Sequence, residues 1–360
     1  MSDAPSPARE AGAGRDRDDG KWKVLIVDDE EDIHQVTRLV LSNFSFDGRS
    51  LRFISAYDSE QAKEVLEENP DIAVLLLDVV MDGDDAGLRL VKHIRNVLEN
   101  PYIRIILRTG QPGRAPENKV ILEYDINDYK EKTELTAQKL FTTMVSAIRS
   151  YRDIMTIERN RREMEETHRE LIFTLGDIIE RRSLETGRHV QRVSEYARLL
   201  AVLSGFGEAE ADVLAVASAV HDIGKVAIPD LVLNKPGSLS ADEFELMKTH
   251  AALGAEMLRF SRRELFVAAS IIAHEHHERW DGSGYPRGLA GEGIHPYARI
   301  AALADVFDAL TNDRVYRGAW SVEDARSHIL GEAGMHFEPK LVGLFDSRWE
   351  EFLAIRSRLD

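Results

Sequence analysis

The first third of the chain alternates between two hydrophobic rhythms. Lys23-Val24-Leu25-Ile26-Val27 is a short, β-branched apolar run that stops at Asp28-Asp29-Glu30. Helical spacing follows, predicting Ile33, Val36, Leu39, Val40 and Phe44 on one inward face. Two further buried-strand runs are Ala73 to Leu77, ending at Asp78, and Ile103 to Leu107, ending near Thr109-Gly110. Continuous apolar runs alternating with helical patterns predict a parallel, doubly wound α/β sheet. Such sheets place their sites at the carboxyl ends of strands, where Asp28, Asp29, Asp78 and Thr109 fall.

From about Thr136 to Ser183 no proline or strong turn signal interrupts a helical reading. Within it Ile154, Ile157, Arg161, Met164, His168, Leu171, Leu175 and Ile178 are spaced alternately by three and four. That heptad seam predicts a parallel dimeric coiled coil, with Arg161 and His168 as polar core positions that weaken it and specify register; the alternative is one long amphipathic helix lying on its own domain. The seam is too narrow and polar to serve a globular core. After Gly187 helical periods recur without a convincing strand, so this half reads as all-α. The expected organisation is a disordered leader (1–20), an α/β domain (21–148), a coiled-coil linker helix (149–178) and a helical domain (179–360).

Composition narrows the class. With 43% apolar and 30% charged residues the chain suits globular folding. No run approaches the roughly 18 uninterrupted apolar residues of a membrane span. The leader lacks an apolar core and so does not read as a secretory signal. Cysteine is absent, which excludes disulfides and thiolate ligands and fits a reducing cytoplasm. The net charge of −17, with no helix-turn-helix signal and no basic face, argues against DNA as a partner. An anionic substrate would need a local positive site built from metals or clustered Arg and Lys.

If the sheet forms as read, Asp28, Asp29 and Asp78 converge. Three carboxylates in one pocket repel unless a cation joins them, and hard oxygens suit Mg²⁺. Thr109 offers a hydroxyl and Lys132 an ammonium to a phosphoryl group on Asp78, and Tyr129 could swing inward when Thr109 moves. VLIVDDE, LLLDVVM, the Thr109-Gly110 pair and NDYKEK resemble the receivers of two-component response regulators over roughly residues 22–148. The resemblance implies a flavodoxin-like fold and a cognate sensor histidine kinase. It implies Asp78 as phosphoacceptor, Asp28 and Asp29 as Mg²⁺ ligands, and Thr109, Tyr129 and Lys132 as switch residues. Asp82 and Thr133 depart from the usual prolines after Met81 and Lys132.

The second half carries a different chemistry. His221-Asp222 follows the apolar helical run VLAVASAV. Adjacent helical residues project about 100° apart, so both can enter one pocket. His276-His277 ends the apolar Ile271-Ile272-Ala273 stretch and precedes a glycine-rich loop stiffened by Tyr285-Pro286. Asp305 lies on a helix whose Ile300, Leu303, Ala304 and Phe307 face the core; a metal or a buried salt bridge would satisfy it. Nitrogen and oxygen ligands suit Fe, Mn, Zn or Mg.

ETGRHVQRV, HDIGKVAIPD, KPGSL, MKTHAALG, HHERWDGSGYP and ADVFDALTNDRVYR together resemble the HD-GYP family of HD-superfamily phosphohydrolases, over about residues 170–350. That resemblance implies hydrolysis of cyclic di-GMP to pGpG and, in some members, GMP, by a metal-activated hydroxide. It implies Glu185, His189, His221, Asp222, His250, His276, His277 and Asp305 as ligands of two or three divalent metals, with Fe or Mn expected. In the family the glutamate at 185 accompanies a third metal. Asp222 and Lys225 are the expected catalytic residues. Lys225, Tyr285, Arg314 and Arg317 are expected at the substrate; the family commonly has lysine at the last position. The expectation is therefore multidomain: a phosphorylation-regulated cytoplasmic phosphodiesterase, dimeric through its linker helix. The alternatives are a non-catalytic cyclic dinucleotide sensor and an HD phosphohydrolase for another nucleotide.

Overall fold

A computed structural model describes residues 20–81, 85–110, 124–132, 136–183, 188–313 and 318–359. The chain divides into two compact units, Met1–Arg162 and Glu163–Asp360.

The first unit is built on strands β1 (Trp22–Val27), β2 (Ser45–Phe46), β3 (Arg49–Ala56), β4 (Val74–Asp78), β5 (Arg104–Thr109) and β6 (Asp128–Glu131). They lie in the order β2-β3-β1-β4-β5-β6. All neighbours are parallel except β2, a short antiparallel edge on β3. Strand residues alternate between two cores. Leu25, Val27, Leu75, Leu77, Ile105 and Leu107 pack with α3 (Ala86–Asn96) and residues of α2 (Ser59–Glu68). Val24, Ile26, Val74, Leu76 and Ile106 pack against Leu41, Phe44 and the start of helix α4 (Ala137–Arg182). Helices on both faces explain why the strands read as unbroken apolar runs.

Helix α1 (Glu31–Val40) departs from the predicted face. Val36 is 56% and Leu39 75% exposed, whereas His34 and Thr37 are buried. Ile33 and Val40 are half-buried and Phe44 is buried past the helix end. The inward stripe runs through 34, 37, 41 and 44, and it tolerates polar residues because the pocket beneath supplies partners. His34 Nε2 lies 2.8 Å from the Asp28 carbonyl oxygen, and the Thr37 hydroxyl accepts from Arg108 at 3.1 Å.

Helix α4 is one continuous element of 46 residues. Its first turns, through Leu140, Met144, Ala147, Ile148 and Tyr151, complete the sheet's core. Along the heptad seam Ile157, Met164, Leu171, Leu175 and Ile178 are all more than half exposed, and Ile154 is half-buried. On the face beside this seam Ile172 and Ile179 turn inward.

Among its described residues the second unit is helical: α5 (Arg188–Leu203), α6 (Glu208–Ser218), α7 (Asp230–Leu233), α8 (Ala241–Leu258), α9 (Glu264–Glu275), α10 (Pro296–Thr311), α11 (Val322–Gly331), α12 (Pro339–Ser347) and α13 (Trp349–Leu359). Helix α10 is central. Ile300, Leu303, Ala304 and Phe307 are buried as predicted, and Phe307 meets Tyr196, Phe345 and Phe352 edge to face. A capping box between Ser240 and Glu243 starts α8, the helix that carries His250. No helix among the described residues is long and apolar enough to cross a membrane.

Candidate active site

Four elements deliver the histidines. His189 is on α5, His250 on α8, and His276 caps the end of α9. His221 and Asp222 are not on a helix, as the sequence reading had them. Helix α6 ends at Ser218, and the pair occupies a tight turn before the 3₁₀ segment Ile223–Ala227. Successive three-residue hydrogen bonds, including His221 N to Ser218 O, wind the chain too tightly for α geometry. That turn still aims both side chains into one pocket.

Each ring is held by its other nitrogen. The Nδ1 of His221 faces Ser218 O at 2.9 Å, that of His250 faces Met247 O at 2.7 Å, and that of His276 faces Ile272 O at 3.0 Å. A carbonyl oxygen only accepts, so Nδ1 carries the proton and Nε2 is left to turn its lone pair inward. His189 is set by a carboxylate instead: its Nδ1 donates to Asp308 at 2.8 Å, and Arg192 clamps that carboxylate through two bonds of 2.6 and 3.0 Å.

The inward atoms converge. His250 Nε2 lies 3.1 Å and His276 Nε2 3.5 Å from Asp222 Oδ1, and His221 Nε2 lies 3.3 Å from Asp222 Oδ2. Asp305 Oδ1 is 3.5 Å from His189 Nε2 and 3.9 Å from His221 Nε2. Two groups have ligand atoms within 4.8 Å of one another: Asp222 with His250, His276 and His277, and Glu180 with His189 and His221. The Nε2 atoms of His189, His221, His250 and His276 and Oδ1 of Asp222 are buried without a hydrogen bond. An orphaned buried polar atom costs about 1–3 kcal/mol. Five together rival the roughly 5–15 kcal/mol of a whole domain's stability. Divalent cations resolve that conflict, so the donor set fits them, and carbonyl-anchored imidazoles are the usual outer support of metal-ligating histidines.

The electrostatics divide the cluster. Burial lowers the His276 pKa, and at His277 burial with the neighbouring His276 and His250 drives it far down. Both rings are neutral donors. At His221 burial also opposes charge, but Asp222 and Asp305 overcome it and push the ring up to about 10. His189 is raised likewise, by Asp308 against burial. Burial favours protonating Asp222, yet Lys225 and His221 hold its carboxylate well below the usual range. Lys225 Nζ is 2.6 Å from Asp222 Oδ2 and 3.6 Å from Glu180. Tyr285 stacks on His277 at 4.7 Å, with a backbone bond to the His277 carbonyl. A Cβ at Gly284 would lie 2.3 Å from the Arg279 nitrogen, so only glycine lets this loop fold back on the histidine turn.

Glu185, Arg314 and Arg317 lie outside the described residues, as do Asp82 and Thr133. Several contributors were not singled out from sequence. Besides Arg192 and Asp308, buried Glu278 accepts Arg287 N at 2.8 Å and Leu289 N at 2.9 Å, fixing the loop after the histidines. The spacing Asp305-Asp308, one helical turn on the same face, was the available signal for Asp308.

The first unit holds its own cluster, Asp28, Asp29 and Asp78, at the ends of β1 and β4. Asp28 and Asp78 are buried and Asp29 is exposed. Lys132 Nζ reaches Asp78 at 2.8 Å, Glu30 at 3.0 Å and Asp28 at 3.3 Å. Burial raises the Asp78 pKa against the pull of Lys132. Thr109 is buried at the end of β5 and Tyr129 half-buried in β6. Arg108, unremarked in the sequence, is buried beneath them with its guanidinium 3.3 Å from Asp28 Oδ2.

The two sites thus belong to a response regulator, a receiver joined to an HD domain. The response regulator receiver family matches residues 24–144 and the HD domain family residues 174–341. A 3'3'-cGAMP-specific phosphodiesterase of Vibrio cholerae is 36% identical, over 94% of this chain and 93% of its own length. The cyclic di-GMP phosphodiesterase response regulator RpfG of Xanthomonas campestris is 34% identical, over 94% and 90%. A cyclic di-GMP phosphodiesterase of Thermotoga maritima is 32% identical over 89% of both chains. The chain belongs to this family of receiver- and HD-containing phosphodiesterases and is a metal-dependent phosphodiesterase.

Proposed function

We propose that the HD site hydrolyses cyclic di-GMP, to pGpG or to GMP, under control of phosphorylation at Asp78. The observation that carries the reading is the convergence of orphaned Nε2 atoms on Asp222. Its two oxygens face different histidines, His250 and His276 on one side and His221 on the other, so Asp222 would share with them the holding of divalent cations. Iron or manganese is the proposed occupant, held by His221, Asp222, His250, His276, His277 and Asp305. When bound, such metals acidify a water and neutralise phosphate oxygens. The chain's residues do the rest. Lys225, already inside the pocket, presents an ammonium to the phosphate charge and a proton to the leaving 3′-oxygen. Tyr285 borders the substrate side of His277. Arg314 and Arg317 are proposed to grip the second phosphate.

A second reading is favoured by one observation: a full-length relative is named for 3'3'-cGAMP. Competing both cyclic dinucleotides in one assay tests the choice. Cyclic di-GMP should be consumed first at equal concentration; preferential loss of 3'3'-cGAMP would reassign the substrate.

In the receiver, Asp78 is the proposed phosphoacceptor, supplied by a histidine kinase, with Mg²⁺ on Asp28 and Asp29 and with Thr109, Tyr129 and Lys132 as switch residues. The exposed Ile157–Ile178 seam is proposed to pair in parallel with a second copy. Substituting Leu171 and Leu175 by glutamate should give a monomer in sedimentation; an unchanged dimer would discard this interface.

A further inference from the structure

One wall of the HD pocket carries side chains that the metal centre does not use. Tyr285 lies against His277, with ring centroids 4.7 Å apart and planes 29° apart. Beyond it stands Phe244, edge-on to Tyr285 at 6.3 Å and 80°. The two rings make a corner. The Lys248 ammonium sits in it, 5.3 Å from the Phe244 centroid and 5.8 Å from that of Tyr285. Phe244 and Lys248 lie one turn apart on α8, so they share a face of the helix. The same helix delivers His250, whose ring is 6.4 Å from Tyr285. The corner is open to solvent on its outer side. Phe244 is 48% exposed. Lys248 is half-buried and pairs with Glu245 at 2.5 Å, and Glu245 is itself exposed. An exposed ion pair of this kind is held weakly, so the ammonium can exchange it for a ligand group at little cost.

We propose that Phe244, Lys248 and Tyr285 form a base subsite, in which a purine lies against the Phe244 ring and Lys248 selects guanine over adenine. An aromatic face left half in water beside a phosphodiester-cleaving centre suits a nucleobase, because every base has a flat π face to stack. Stacking alone does not choose the base; the ammonium does. Guanine presents O6 and N7, two acceptors side by side, to a lysine. Adenine presents N7 beside an amino donor, which an ammonium cannot satisfy. Lys248 is therefore a specificity-determining residue. A ligand with guanine at both positions meets it in either orientation, whereas a mixed guanine-adenine ligand meets it in one only. The inference rests on the reading of the HD site as a cyclic-dinucleotide phosphodiesterase and gives a physical reason for preferring cyclic di-GMP to 3'3'-cGAMP.

The test titrates GMP and AMP into the full chain loaded with Mn²⁺, read by calorimetry, with metal content determined for every variant. The unsubstituted chain should bind GMP roughly tenfold more tightly than AMP. Lys248→Met should erase that preference with its metal content intact, and Lys248→Arg, which keeps a cationic donor, should retain it. Phe244→Ala should weaken both nucleotides alike, by roughly tenfold, because stacking is blind to the base. Equal affinity of the unsubstituted chain for GMP and AMP would overturn the proposal. So would a preference that survives Lys248→Met, which would leave the lysine as a surface partner of Glu245, or nucleotide binding unaltered in Phe244→Ala. A chain that prefers GMP through Lys248 but hydrolyses no cyclic dinucleotide keeps this inference and removes the proposed substrate.

Discussion

The receiver pocket and the HD pocket both gather acidic residues, yet they balance that charge in opposite ways. In the receiver the chain brings its own cations. Lys132 reaches Asp28 and Asp78, and buried Arg108 reaches Asp28 from below. In the HD pocket Lys225 is the cation beside Asp222, and the remaining partners are imidazoles pinned by their outer nitrogens. Their inner nitrogens face Asp222 without forming a hydrogen bond. The first arrangement meets its carboxylate charge with the chain's own cations. The second is incomplete without metal, which suits a resident catalytic centre.

Removing the metal turn should separate the two most sharply. His221→Ala combined with Asp222→Ala should abolish HD-site metal and turnover while receiver binding of Mg²⁺ and beryllofluoride persists. Metal analysis beside a beryllofluoride titration checks this, and retained turnover would break the contrast. Next in size is the receiver's built-in cation. Arg108→Met leaves Asp28 with Lys132 alone and should reduce stability in chelator by about 3 kcal/mol. Saturating Mg²⁺ should restore part of that loss in urea unfolding; equal loss with and without Mg²⁺ would mean that Arg108 only packs.

A smaller effect is expected where a carboxylate orients a ligand without being one. Asp308→Ala should weaken metal binding by roughly 10–100-fold, because His189 loses the partner that fixes its Nδ1 proton. Calorimetry reads this directly, and unaltered affinity would remove Asp308 from the centre. The smallest effect is on pH. Burial and then Arg279 push His336 from 6.5 down to about 4, so the folded chain keeps it neutral where the unfolded chain protonates it. Its contribution is complete above pH 6.5 and is lost as pH falls toward 4. His336→Gln should flatten the acid limb of stability in that window, and an unchanged limb would contradict the assignment.

Much of this was legible from residues. Strand ends at Asp28, Asp78 and Thr109 and the inward stripe of α10 follow from hydrophobic period and run length. Other features were not. Val36 and Leu39 look like core by spacing, yet His34 and Thr37 take that face because the pocket below offers them hydrogen bonds. Periodicity scores apolarity and is blind to a polar partner contributed by a distant strand. The turn at His221 was hidden for a related reason: VLAVASAV is helical in pattern until Ser218, and the tightening that follows depends on what packs around it.

The central claim is that the HD pocket is a metal centre acting on a cyclic dinucleotide. The direct measurement is cyclic di-GMP turnover by one preparation as purified, after chelation, and after reloading with iron or manganese, with metal content determined each time. Turnover should vanish with the metal and return with it. Turnover indifferent to chelation, or a fully loaded chain that leaves cyclic di-GMP intact, would contradict the account.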